Sequence, residues 1–164
     1  MKTLPFKLVL FLFVCILFNS CTAEDDGIYF DKINKVKFEY NEMDLEILDL
    51  VNTYRASKGL NTLKKLDFIS AVAFSHTNYM IEKGEANHEN FPQRQENLVL
   101  NAGAKSVGEN VAFGFSSAKS VVDAWIESDG HRALIENENY THFGISTEQN
   151  SKGRNYFTQL FIEQ

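Results

Sequence analysis

Both cysteines of this chain, Cys15 and Cys21, lie within its first twenty-one residues. Whatever folds after them has no thiol, so neither a disulfide framework nor a cysteine nucleophile is open to it. A thiol-free domain must be held by buried apolar surface. The material is ample: hydrophobic residues are 44% of the 164, and fourteen of them are phenylalanine. Charged residues at 23% exclude wholesale disorder, and two prolines with nine glycines exclude a collagen-like or linker-rich chain. The length suits one domain with a tail. The net charge of −6 argues against a nucleic-acid surface.

Cys15 sits inside an apolar run, Leu8 to Phe18, that follows Lys2 and Lys7. The run is eleven residues long, against about twenty for a membrane-spanning helix. A basic start, a short apolar stretch and small polar residues read as an export signal over residues 1–20. Phe18-Asn19-Ser20-Cys21 is similar to a bacterial lipoprotein box, with Phe18 where leucine is usual and Leu17 one place earlier. On that reading Cys21 is lipidated, becomes the N-terminus and anchors the protein to a membrane. The rival is ordinary cleavage after Ala23. Glu24-Asp25-Asp26 resembles the surface-export tag of Bacteroidetes-type lipoproteins, and a plain solvated tether is the other reading. The expected organisation is a signal at 1–20, a lipidated N-terminus and acidic tether at 21–41, and a domain at 42–164. A short strand at Ile28–Phe30 is the one element expected in the tether. Loss of the signal takes two lysines and no acid, leaving a mature charge of −8.

Helices are expected first. Asn41 and Asp44 are candidate caps for a helix to about Ser57, with Ile47, Leu50, Val51 and Tyr54 at helical spacing and Gly59 as a stop. A second helix opens at Asp67, carries Ile69, Val72, Ala73, His76 and Met80 on one face, and ends at Gly84. His88 to Pro92 reads as loop, Gln95 to Ala102 as a short helix, and Asn110 to Phe113 as a strand. Ala118, Val121, Val122 and Trp125 line a further helix. Tyr140 to Thr147 and Asn155 to Glu163 then alternate as strands, joined by turn residues Asn150 to Gly153. This order predicts an α+β fold around a small antiparallel sheet.

Generic catalytic motifs fail. His88-Glu89-Asn90-Phe91-Pro92 lacks the second histidine of a metalloprotease helix. Gly114-Phe115-Ser116-Ser117-Ala118 lacks the second glycine of a nucleophile elbow. What remains is an ordered set: Asn52 to Arg55 with Gly59-Leu60, His88, Gly108-Glu109-Asn110-Val111-Ala112, Trp125 to Ser128 with Gly130-His131-Arg132, then Gly144 and Tyr156 to Phe161. This set resembles the CAP superfamily of cysteine-rich secretory, antigen 5 and pathogenesis-related 1 proteins, in its short bacterial branch, from about Leu45 to Phe161.

The resemblance implies a three-layer α-β-α sandwich whose central cleft is lined by two histidines and two glutamates. His88 and His131 carry over as the histidines and Glu109 as the first glutamate. The second glutamate falls on Ser128. Its neighbour Glu127 points about 100° away on a helix. The chain thus has a triad, and the disulfides of eukaryotic members are absent. His88, Glu109 and His131 are the candidate catalytic residues, and Asn110, Ser128 and Arg132 the candidate binding residues.

Two imidazoles and a carboxylate suit zinc, with His88 and His131 as ligands. A glutamate one layer out would instead orient a histidine. A metal-free hydrogen-bonded cluster is the alternative. His76 reads as a satisfied core histidine, His142 as surface or sheet packing, and Trp125 as core. Three functions follow: an anchored cell-surface or outer-membrane module whose cleft binds an unknown ligand or partner, a zinc-assisted hydrolase using Glu109 to activate water, or a lipid or sterol binder.

Overall fold

Asn41 and Asp44 close a capping box at the start of the first helix. The Asn41 side chain accepts from the Asp44 amide at 2.9 Å, and the Asp44 carboxylate accepts from the Asn41 amide at 3.1 Å. In the computed structural model residues 37–164 are described. The export signal, Cys15, Cys21, the acidic cluster and the strand expected at Ile28–Phe30 lie outside them. Helix α1 runs Glu42–Ser57 and buries Ile47 and Val51 completely. Helix α2 runs Asp67–Lys83 and ends on Gly84 in the left-handed region at φ 78°. Its predicted apolar face, including His76 and Met80, is buried.

Helix α3 spans Phe91–Ala102, four residues longer at its start than the sequence pattern predicts. Pro92 occupies the first turn, where its missing N–H has no intrahelical acceptor to lose. Helix α4 is Ala118–Glu127, capped by Ser117 in a second capping box. Helix α5, Asp129–Ile135, follows directly after Ser128 and was not expected.

Four strands make one sheet: β1 at Lys64–Lys65, β2 at Ser106–Phe113, β3 at His142–Gln149 and β4 at Asn155–Glu163. Their order is β1-β3-β4-β2. The pairs β2–β4 and β3–β4 are antiparallel, as expected, and the two-residue β1 adds a parallel edge. Strand β2 starts four residues before the predicted Asn110 and so includes Gly108 and Glu109.

Residues alternate between the two faces of a strand, and β4 feeds both cores accordingly. Phe157 and Phe161 join Ile47, Val51, Val121, Trp125 and Ile135 of α1, α4 and α5 on one face. Leu160 and Ile162 join Ile69, Val72 and Leu98 of α2 and α3 on the other. The result is the three-layer α-β-α sandwich. Helix α2 crosses β3 so closely that a Cβ on Gly144 would strike the backbone of Ile69 and Ser70.

Candidate functional site

Strand β2 is the edge strand that organises the site. Glu109 and Asn110 are neighbours in sequence and therefore face opposite sides of the sheet. Glu109 turns toward α2 and α3. Asn110 turns toward α5, where its amide donates to His131 O and to Gln159 Oε1, each at 3.3 Å. The two halves of the site belong to different layers and meet around the β2 edge.

On the first face the Glu109 carboxylate is buried and surrounded by donors. Arg94 donates from Nε to Oε2 at 2.7 Å and from Nη2 to Oε1 at 2.8 Å. His88 Nδ1 bonds the same Oε1 at 2.8 Å. His76 Nε2 lies 4.0 Å away and donates to Asn87 O at 2.8 Å. Burial alone would push the Glu109 carboxyl up. The hydrogen bonds from His88 and Arg94, and the Arg94 charge, outweigh it and hold the carboxyl below its ordinary value. A carboxylate only accepts, so His88 Nδ1 carries the proton of that bond, and in the neutral ring Nε2 keeps its lone pair. Burial, together with the Arg94 charge, pushes His76 down to about 4, so it is neutral.

These side chains have different exposure. The His88 side chain is 54% exposed, while that of Glu109 is 2% exposed. His88 stands on the loop between α2 and α3, just before Asn90, whose φ of 59° turns the chain into α3. An exposed imidazole thus rests on a buried, paired carboxylate.

On the second face His131 Nδ1 bonds Ser128 Oγ at 2.8 Å. Burial, and repulsion from His88 whenever that ring is protonated, push His131 down. No bond joins His131 to Glu109 among the described residues. Ser128, standing where the resemblance expects a glutamate, is the hinge between α4 and α5 and the partner of His131. Glu127 is exposed. Arg132 donates to Ile126 O at 2.8 Å and pairs with Asp129. Trp125 is core, with its indole N–H donating to Val111 O at 3.3 Å. His142 begins β3 and bonds Thr141 Oγ1 at 2.9 Å.

A zinc centre of three protein ligands finds a poor fit here. Among the described residues no group of three or more His, Cys, Asp or Glu side chains is gathered at ligand range. Glu109 spends both oxygens on Arg94 and His88. It fills the role of an outer partner that orients a histidine.

Arg94 and His76 are the members of the cluster that no motif in the sequence marks as site residues. Helical spacing puts His76 in the core, where it is buried, but carries no sign of its proximity to Glu109. Arg94 had a signal: it precedes Asn97, Leu98 and Ala102 at helical spacing, and all four are buried. An arginine on an apolar face demands a buried partner. A separate hollow of about 550 Å³ lies by the end of α2 and the β3–β4 turn and contains none of these residues.

Comparison with known proteins agrees with this fold. The uncharacterized membrane protein YlbC of Bacillus subtilis is 32% identical over 122 residues, 73% of this chain. The chain spans only 34% of that relative's length. Among solved structures, an outer surface protein of Borrelia burgdorferi superposes with a TM-score of 0.68 at 21% identity, covering 77% of this chain and 96% of that one. An extracellular protein containing a SCP domain, from Bacillus anthracis, superposes with a TM-score of 0.67 at 26% identity, covering 82% and 43%. The model of the CAP, or cysteine-rich secretory protein, family matches residues 48–161, which takes in every helix and strand of the site, and the chain belongs to that family.

Proposed function

We propose that this protein is an exported, surface-associated CAP-domain module that offers the His88–Glu109 pair, with His131 beside it, to a ligand or partner in the cleft. The observation that carries the reading is the half-exposed His88 imidazole seated on the buried Glu109–Arg94 pair. Burying two charges is costly even when they are paired. Here the pair fixes one imidazole with its Nε2 lone pair free for a donor arriving from solvent. Hydroxyl and amide N–H groups have that chemistry.

Export and anchoring rest on the leader and Cys21, and on relatives described as an extracellular protein and a membrane protein. The hydrolase reading needs Glu109 free for a metal or water, and Glu109 is committed to Arg94 and His88. The lipid or sterol reading needs an apolar cleft, and His88, Glu109, Arg94, His131 and Ser128 are polar.

The test captures partners from envelope extracts with the wild type and with a His88→Ala/His131→Ala variant of matched thermal stability. Species retained by the wild type and lost by the variant are expected. Identical capture would sink the cleft as the binding surface. Location is read separately: surface protease should cleave the protein on intact cells, and Cys21→Ala should release it from membranes.

A further inference from the structure

Glu109 is the acid that a two-histidine zinc centre would take as its third ligand. In this protein the cation beside it is a side chain. The Arg94 guanidinium makes a two-point bond to the carboxylate, at 2.7 and 2.8 Å, and uses lone pairs that a metal would need. It is also fixed from behind. Its Nη1 donates to Glu89 O at 2.6 Å, its Cζ lies 5.9 Å from the Phe91 ring centre, and the residue is 2% exposed. Arginine keeps its charge at any pH a folded protein meets, so it does not vacate the carboxylate by losing a proton.

We infer that Arg94 is the built-in cation of this site, a positioning residue with two effects. It holds Glu109 as the acceptor for His88 Nδ1–H, which selects the tautomer that shows Nε2 to the cleft. It also keeps divalent ions off Glu109. The inference rests on the His88–Glu109 site proposed above and not on any partner being found. A lysine cannot substitute, because a point charge lacks the two-point geometry.

Two measurements test it on the mature protein. Zinc is titrated calorimetrically into the wild type, Glu109→Gln, Arg94→Gln and the Arg94→Gln/Glu109→Gln double variant. Zinc affinity of the wild type, whatever its size, is expected to be unchanged in Glu109→Gln, because the glutamine carbonyl oxygen still accepts from His88 Nδ1–H. Arg94→Gln is expected to gain affinity by about tenfold or more, and the double variant to lose that gain. A tenfold loss in Glu109→Gln, or no gain in a folded Arg94→Gln, would overturn the inference. The second measurement needs no variant: the ¹⁵N shifts of His88 in mildly alkaline solution. The Nδ1–H tautomer is expected, and the Nε2–H tautomer would overturn the positioning role even if Arg94→Gln fails to fold. Partner capture is a different readout, so its failure and this one are distinguishable.

Discussion

His76 and Asp44 are both buried and both titrate away from their ordinary values, and in acid they pull in opposite directions. His76 is lowered from 6.5 to about 4. A base depressed on folding contributes stability that is complete above its unfolded value and is lost as pH falls through the folded one. Between pH 6.5 and 4 this amounts to about 3 kcal/mol. Asp44 is raised from 3.8 to about 6 by burial, with Glu148 adding to it. An acid raised on folding contributes stability that is complete below its unfolded value and is lost as pH rises through the folded one. His76→Gln should therefore flatten the acid limb of stability, and Asp44→Asn should stabilise near neutrality but not near pH 4. Urea unfolding at the two pH values checks both, and equal effects at both would refute the assignment. Asparagine keeps an oxygen for the Asn41 amide, so the capping box is not the variable. Single residues were unevenly legible in the sequence. A helical face marks His76 as buried, but nothing local marks Arg94 as bonded to Glu109, fifteen positions on in a strand.

At the scale of elements the tightest joint is α2 against β3. Gly144 has an ordinary strand backbone, so its requirement is space and not φ. Gly144→Ala should cost about 3 kcal/mol, because backbone on both sides must move. Gly153 is the contrast: it has open space around its Cβ position and a φ of +76°. Gly153→Ala should cost about 1 kcal/mol, from conformation alone. Chemical denaturation of the two variants checks the ranking, and a reversed order would contradict the packing argument. The elements legible in the sequence were those long enough to show a period, α1, α2, α4, β3 and β4. Helix α5 has seven residues and β1 has two, too few for periodicity to register. The start of α3 was hidden by Pro92, which reads as a breaker until the helix is seen to begin just before it. Strand β2 was shortened because Gly108 and Glu109 look unlike strand residues. Gly108 is there because Tyr140 Oη and Leu134 Cδ2 lie 2.5 and 2.9 Å from where its Cβ would be, and Glu109 is there because Arg94 pairs with it.

The whole domain turns on one sheet serving two cores. Strand β4 gives alternate residues to each, so neither core survives loss of the sheet. Ile47→Ala on one face and Leu98→Ala on the other should each cost about 2–5 kcal/mol. Both should lower the urea midpoint with the slope unchanged and in one transition. Two resolved transitions in either variant would mean that the layers unfold separately. A marginal domain has about 5–15 kcal/mol in total, so the double variant should be close to unfolded at room temperature. The described residues contain no cysteine, so reductant should shift none of these midpoints. The site depends on the same unity. Glu109 is held from the α2–α3 layer and His131 from the α5 layer, and only an intact sheet brings the two imidazoles near enough to interact. Loosening either core should therefore relax both the burial of His131 and its coupling to His88 before the protein unfolds. Histidine titration by NMR in Leu98→Ala should show it as a His131 value moving back up toward that of a free imidazole. An unmoved His131 would mean that the cleft is held locally, by Ser128 and Asn110, without help from the opposite layer.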